Sequence, residues 1–245
     1  MVQDLPISAE QMANCVARFR DRRPHVHCIT NGVAQAFTAN VLLAAGGTPS
    51  MTIVPTEIEA FVDFADALLI NLGTLDADRS RSMALAAARA NDEGKPWLLD
   101  PVFVQASRPR LREAFGLLEF RPTAIRCNQS ELDAFDDRGR LDCAVAVTGK
   151  TDVISDRARQ ISLDNGSPLM DRVTAMGCAL GGVMAGFLAV EGDRLLALSS
   201  AATLFSLAGE RAALLASGPG SFVPLFIDAL AMVDETTIVT GANIL

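Results

Sequence analysis

Ala67-Leu68-Leu69-Ile70-Asn71-Leu72 is apolar at every position but one. A half-exposed strand alternates apolar with polar residues. A run that is apolar throughout must be covered on both faces, as in a parallel sheet with helices above and below. Downstream, residues 78–91 carry a helical pattern that ends in Glu93-Gly94-Lys95-Pro96, and Trp97-Leu98-Leu99 is a second short buried strand closing on Asp100-Pro101. Upstream, Ser8-Ala9-Glu10-Gln11 has the spacing of a capping box, which predicts a helix to about Arg20. Residues 25–30 follow as a strand, 33–45 as a helix stopped by Gly46-Gly47, 50–54 as a short strand and 56–65 as a short helix. Beyond Asp100 the pattern predicts a helix over 111–118, a strand over 123–127, a short helix over 130–135 and a strand over 144–148. A hairpin of 153–155 with 160–163 comes next, then helices over 178–190, 194–216 and 221–233. Strands alternating with helices define an α/β chain with a parallel sheet covered on both faces. With no linker-like composition break, residues 1–245 read as a single domain.

Composition narrows the class. Of 245 residues, 50% are hydrophobic and 20% charged, enough for a large core and too apolar for disorder. The net charge of −8 argues against nucleic acid or an anionic membrane as partner, since both require a basic patch. Five cysteines with no CxxC pair point to free cytosolic thiols rather than a disulfide framework or a zinc site. Residues 1–23 are polar and charged, unlike a secretory signal, and the glycine-rich apolar stretch over 177–190 is too short to span a bilayer. These features together place the chain in the cytoplasm.

In open α/β sheets, ligands sit beyond the carboxyl ends of the strands. Polar residues there include Asn31, residues 71–74, Asp100, Asn128, Thr148-Gly149 and Asp152. The most informative stretch is Val173-Thr174-Ala175-Met176-Gly177-Cys178-Ala179-Leu180-Gly181-Gly182, a hinge leading straight into an apolar helix. The first N–H groups of a helix lack partners within it and, with the helix dipole, receive anions. A phosphoryl group in flight carries its charge on equatorial oxygens that such donors stabilise. Cys178 at that end is expected to have a lowered thiol pKa and to take the proton of an attacking hydroxyl; read alone, it is more simply a small buried hydrophobe. Asn128-Gln129-Ser130-Glu131 presents an amide and a carboxylate on one helical face, either for a Mg²⁺–phosphate cluster or as a plain helix cap. Arg126, inside an apolar strand, either grips a phosphate or makes an ordinary ion pair.

The order of these parts is that of a known family. The chain resembles the hydroxyethylthiazole kinases, thiamine-salvage members of the ribokinase-like superfamily. The resemblance runs through His27-Cys28-Ile29-Thr30-Asn31, Gly46-Gly47-Thr48-Pro49-Ser50-Met51, Asn71-Leu72-Gly73-Thr74, Leu99-Asp100-Pro101, Arg126-Cys127-Asn128, Val147-Thr148-Gly149, Gly177-Cys178 and Ser217-Gly218-Pro219-Gly220-Ser221. It covers roughly residues 25–233. It implies a ribokinase-like three-layer α-β-α sandwich with a mainly parallel central sheet. It also implies ATP- and Mg²⁺-dependent phosphorylation of the hydroxyethyl group of 4-methyl-5-(2-hydroxyethyl)thiazole, by a homotrimer with active sites at its interfaces. By the same resemblance Met51, Asn31 and Ala175 contact the thiazole, and Arg126 and Thr148 hold ATP. Asp100 and Glu131 serve the metal, mostly through water. Ala175, Met176 and Gly177 supply the anion-hole amides, and Cys178 stands where related sugar kinases place their base.

Three departures accompany the resemblance. The family's Thr-Gly-Thr-Gly-Cys is here Thr174-Ala175-Met176-Gly177-Cys178, so an alanine holds a glycine position. Phe103 and Gln105 replace glycines near Asp100. The connection from Glu131 to Ala144 is shorter than the helical stretch the family inserts. Another heterocyclic alcohol as acceptor, such as a pyrimidine, and a non-catalytic thiazole- or nucleotide-binding descendant are the alternative readings.

Overall fold

The computed structural model describes residues 6–135 and 141–245. Eight strands form one sheet in the order β2-β1-β3-β4-β5-β6-β7-β8. They are β1 His25–Ile29, β2 Thr48–Ser50, β3 Ala67–Asn71, β4 Trp97–Asp100, β5 Ala124–Cys127, β6 Ala144–Val147, β7 Asp152–Asp156 and β8 Arg159–Leu163. The first six run parallel; β7 and β8 add an antiparallel hairpin at one edge. The parallel sheet read from the pattern of strands and helices, the hairpin that follows it, and the mainly parallel sheet the resemblance implies are all present. The C-terminal tail covers the outer side of β8, where Asp164 N–H donates to Asn243 O and Leu245 N–H to Ser162 O, each at 3.0 Å.

Because strand side chains alternate in direction, β1 and the four parallel strands β3 to β6 feed two cores. On one face lie Val26, Cys28, Leu69, Leu98, Ala124, Ala144 and Ala146. They meet α1 Ala9–Arg22, α2 Gln35–Ala45, α7 Met176–Val190, α8 Arg194–Leu215 and α9 Pro219–Met232. On the other lie Ile29, Leu68, Ile70, Trp97, Leu99 and Ile125, covered by α3 Ile58–Phe64, α4 Ala77–Asp92, α5 Arg108–Leu118 and α6 Gln129–Asp133. The central helix α7 lies close over the sheet: a Cβ on Gly186 would stand 2.8 Å from the Phe19 ring and 3.1 Å from Val26.

Several boundaries differ from expectation. The capping box at Ser8 is present, with Gln11 as the reciprocating residue, and α1 runs on to Arg22. Helix α5 starts at Arg108 rather than Leu111, because Ser107 caps it and Pro109 occupies its first turn. A last helix, α10 Glu235–Gly241, capped by Asp234, was not anticipated. The short connection after Glu131 falls partly on residues 136–140, outside the described residues.

The largest correction concerns residues 50–54. The strand there ends at Ser50, and Met51–Val54 have no ladder partners. The Thr52 and Ile53 carbonyls are taken by side chains instead. The buried ring of His27 donates through Nε2 to Thr52 O at 3.1 Å, which leaves Nδ1 to accept from Ser50 Oγ at 2.8 Å. Ser82 Oγ donates to Ile53 O at 2.8 Å. Side-chain partners of this kind compete directly with a sheet ladder.

Burial pushes the His27 pKa from its ordinary 6.5 down to about 4. The unfolded chain therefore binds this proton first as pH falls, so the stability the neutral ring contributes is full above about pH 6.5 and lost towards pH 4. His27→Gln keeps an N–H for Thr52 and removes the titration. Calorimetry at pH 7.5, 6 and 5 is expected to show the Tm advantage of the unmodified protein over this variant shrinking with acid; a constant difference would refute the assignment.

Candidate active site

The site follows from strand periodicity. Leu69, Leu98 and Ala124 face α7, so the residues two further on, Asn71, Asp100 and Arg126, face the same way at the carboxyl ends of β3, β4 and β5. The register sets Asn71 beside Asp100 and, continuing from Leu98↔Ala124, Asp100 beside Arg126. Asn71 Nδ2 donates to Asp100 Oδ2 at 2.7 Å, and Asn71 Oδ1 accepts from Asn31 Nδ2 at 3.0 Å and from Gly73 N–H at 3.0 Å. Asn31 Nδ2 also lies 3.6 Å from Cys178 Sγ. A buried chain of polar groups thus joins Cys178, Asn31, Asn71 and Asp100.

Helix α7 begins at Met176 with no side-chain cap. The first bond of its ladder is Ala179 N–H to Ala175 O at 2.9 Å, so the N–H groups of Met176, Gly177 and Cys178 precede the ladder. Its N-cap, Ala175, is left-handed at φ 68°, a conformation that costs a non-glycine residue about 1 kcal/mol. The alanine thus adopts the backbone shape suited to glycine. The Arg126 guanidinium lies against this helix start: a Cβ on Gly177 would come within 2.4 Å of both terminal nitrogens. Arg126 Nη2 donates to Thr148 Oγ1 at 2.5 Å, and Nη1 stands 3.6 Å from Asp100 Oδ1. A cation and a set of free amides therefore converge on one spot.

Asp100 is fully buried, and its Oδ1 has no hydrogen-bond donor. Burial pushes its pKa up to about 7, against the pull of Arg126 and with a further push from Glu131. Glu131 is nearly as buried, and both its oxygens are engaged. Oε2 accepts from Asn128 N–H in a capping box, and Oε1 from Phe103 N–H, each at 2.9 Å. It thereby pins the turn after Asp100, including left-handed Phe103 at φ 59°. The expected thiolate at Cys178 does not form. Burial, and then the Asp100 carboxylate, raise its pKa to about 11, outweighing the contributions of Asn71, Arg126 and Asn31 in the other direction. The thiol is protonated at neutral pH.

A cavity of about 520 Å³ opens beside the helix start. Arg126, Thr148, Met176 and Gly177 are among the residues that line it, with Leu180 and Phe205 among its apolar groups. The structure so divides the residues singled out from the sequence. Arg126, Thr148, Met176 and Gly177 face the cavity, while Cys178, Asn31 and Asp100 form the polar chain behind it, the two sets meeting where Arg126 pairs with Asp100. Met51 lies outside the cavity, half-buried at the carboxyl end of β2, beside the strand that leads into Asn31. Among the described residues, no group of three or more His, Cys, Asp or Glu side chains is placed to hold a metal, and no helix is long and apolar enough to cross a membrane. Sequence reasoning missed Asn71 as the hub of the polar chain. Asp152, marked from the sequence as a strand-end polar residue but given no role, lines the cavity, and burial raises its pKa to about 6.

This sheet order, with helices on both faces and the β7–β8 hairpin at one edge, defines a ribokinase-like fold. A ribokinase-like superfamily protein from Enterococcus faecalis shares the fold, with a TM-score of 0.67 at 14% identity, over 94% of this chain and 96% of that one. The hydroxyethylthiazole kinase of Pyrococcus horikoshii OT3 superposes with a TM-score of 0.93 at 36% identity, over 96% of this chain and 98% of that one. A probable hydroxyethylthiazole kinase of Agrobacterium fabrum is 45% identical over 244 residues, 100% of this chain and 98% of its own. The model of the hydroxyethylthiazole kinase family matches residues 16–138 and 137–236, two segments that meet in the connection after Glu131. The chain belongs to the hydroxyethylthiazole kinase family.

Gly177 allows a direct test of the geometry. The atoms a new Cβ would strike are the far end of a flexible side chain. Gly177→Ala is therefore expected to leave Tm within about 3 °C while displacing the guanidinium and raising KM for ATP at least about tenfold. An unchanged KM would show that Arg126 does not depend on this contact.

Proposed function

We propose that this protein phosphorylates the hydroxyethyl group of 4-methyl-5-(2-hydroxyethyl)thiazole with Mg²⁺–ATP. The observation that carries the reading is the meeting of Arg126 with the unpartnered amides of Met176, Gly177 and Cys178 beside the cavity. A transferring phosphoryl group needs such donors, since its catalysis is mostly positioning and charge stabilisation. The cavity falls in the usual range for a small-molecule site. Arg126 and Thr148 hold the nucleotide phosphates at its polar end, and the base occupies the apolar end near Phe205. The alcohol approaches from the side of Asn31, Met51, Ala175 and Cys178.

The residues present fit a magnesium ion carried in by the nucleotide. Asp100 Oδ1 is buried without a donor, and Glu131 adds negative charge beside it. Asp100, and Glu131 through water, would hold the ion there; bound, it offsets the charge of the phosphate oxygens. The protonated thiol of Cys178 orients the acceptor hydroxyl without taking its proton, which leaves late, as the new O–P bond forms, to an oxygen of the transferred phosphoryl group. A loose transition state asks for little base strength, which suits a protonated thiol.

The whole chain acts as one kinase domain, assembled as a homotrimer with sites at its interfaces. Val33 and Leu43, exposed beside and on α2, supply apolar surface for such contacts. A cytoplasmic location agrees with five free cysteines. A coupled ADP-release assay is expected to register turnover when Mg²⁺–ATP and the thiazole alcohol are both present. Calorimetric binding of either ligand without ADP formation would instead mark a non-catalytic descendant. Cys178→Ala is expected to lower kcat about tenfold without abolishing it; an unchanged kcat would remove Cys178 from the reaction.

A further inference from the structure

Building on the nucleotide reading above, we propose that Lys150 binds the nucleotide phosphates as the second cation of the cavity, opposite in origin to Arg126. The chain has two lysines, Lys95 and Lys150. Lys95 is committed: its Nζ donates to the carbonyls of Val62 and Asp63 at 2.9 and 2.5 Å, on the far face of the sheet. Lys150 lines the cavity, is exposed, and makes no hydrogen bond or ion pair with any described residue.

Its backbone, by contrast, is tied down. The turn between β6 and β7 is closed on one side by Gly149 N–H donating to Asp152 Oδ1 at 3.0 Å, and on the other by Thr151 Oγ1 donating to Asp164 Oδ1 at 2.9 Å. Thr148, two residues before Lys150, holds the Arg126 guanidinium through its hydroxyl. Two residues of chain span about 7 Å at most, and a lysine side chain reaches across that distance. A free ammonium thus sits on a fixed turn within reach of the place where Arg126 and the α7 amides converge.

Charge accounting gives this ammonium its importance. The cavity is lined by three carboxylates, those of Asp152, Asp164 and Asp171, against the two cations Arg126 and Lys150. Arg126 already faces Asp100 at 3.6 Å. A polyphosphate entering an acidic cavity therefore depends on the second cation as well as the first. Lys150 touches the phosphates and not the base, so its effect falls on ligands that carry phosphate.

The test compares Lys150→Ala and Lys150→Arg with the unmodified enzyme, using steady-state kinetics and inhibition by ADP and by adenosine. Lys150→Ala is expected to raise KM for ATP and the ADP inhibition constant about tenfold, with KM for the thiazole alcohol and inhibition by adenosine unchanged. Lys150→Arg is expected to restore most of the loss. If KM for ATP is unchanged in Lys150→Ala, or if ADP and adenosine weaken together, Lys150 is not a phosphate ligand. If the unmodified enzyme neither turns over ATP nor binds ADP, the nucleotide reading falls and this proposal with it; ordinary ATP turnover with an indifferent Lys150→Ala overturns the proposal alone.

Discussion

The architecture turns on a charge that is expensive to bury. Asp100 has no exposed surface, yet its nearest cation, Arg126, stands 3.6 Å away and one of its oxygens has no donor. A buried pair of this kind returns less than its desolvation costs, and the upward displacement of the Asp100 pKa to about 7 reflects that imbalance. Removing one partner from such a pair costs about 3–5 kcal/mol, so the fold holds an arrangement that is incomplete in the free protein. On the proposed reading, an incoming phosphate with its metal would supply what is missing: an anion for Arg126 and the α7 amides, and a cation for Asp100.

The surrounding fold keeps that arrangement in place. Alternation along β3, β4 and β5 directs Asn71, Asp100 and Arg126 to one face, and the parallel register sets them level. Small residues let α7 approach that face. Gly186 admits the Phe19 ring, Gly177 admits the guanidinium, and Gly181 lies close over Leu69 of β3 and Leu98 of β4. Glu131, read from the sequence as either a metal group or a cap, is structurally a cap with a second task. By accepting from Phe103 N–H it fixes the turn that leaves Asp100 pointing inward.

Much of this was legible in the sequence where local pattern and tertiary structure agree. The apolar run at Ala67 foretold a doubly covered strand, the Ser8 box a helix start, and the strand-end polar residues the side of the sheet on which the cavity lies. The failures have physical causes. Residues 50–54 look like a strand, but His27 and Ser82, distant in sequence, take the carbonyls that a ladder would use. A helix N-terminus argues for a thiolate at Cys178. Only the three-dimensional placement shows the thiol buried beside Asp100, which reverses the sign of the shift. Asn71 carries no motif that marks it as a hub, because its partners come from β1 and β4. Lys150 is inconspicuous until the turn that holds it is seen to border the cavity.

The central claim is that the N–H groups opening α7 receive the phosphate. Amide ¹⁵N–¹H resonances of the isotopically labelled protein, recorded before and after adding Mg²⁺–ADP with aluminium fluoride, address it directly. The account expects the signals of Met176, Gly177 and Cys178 to move furthest, together with the side-chain resonance of Arg126. Shifts concentrated elsewhere, with these amides unmoved, would contradict it.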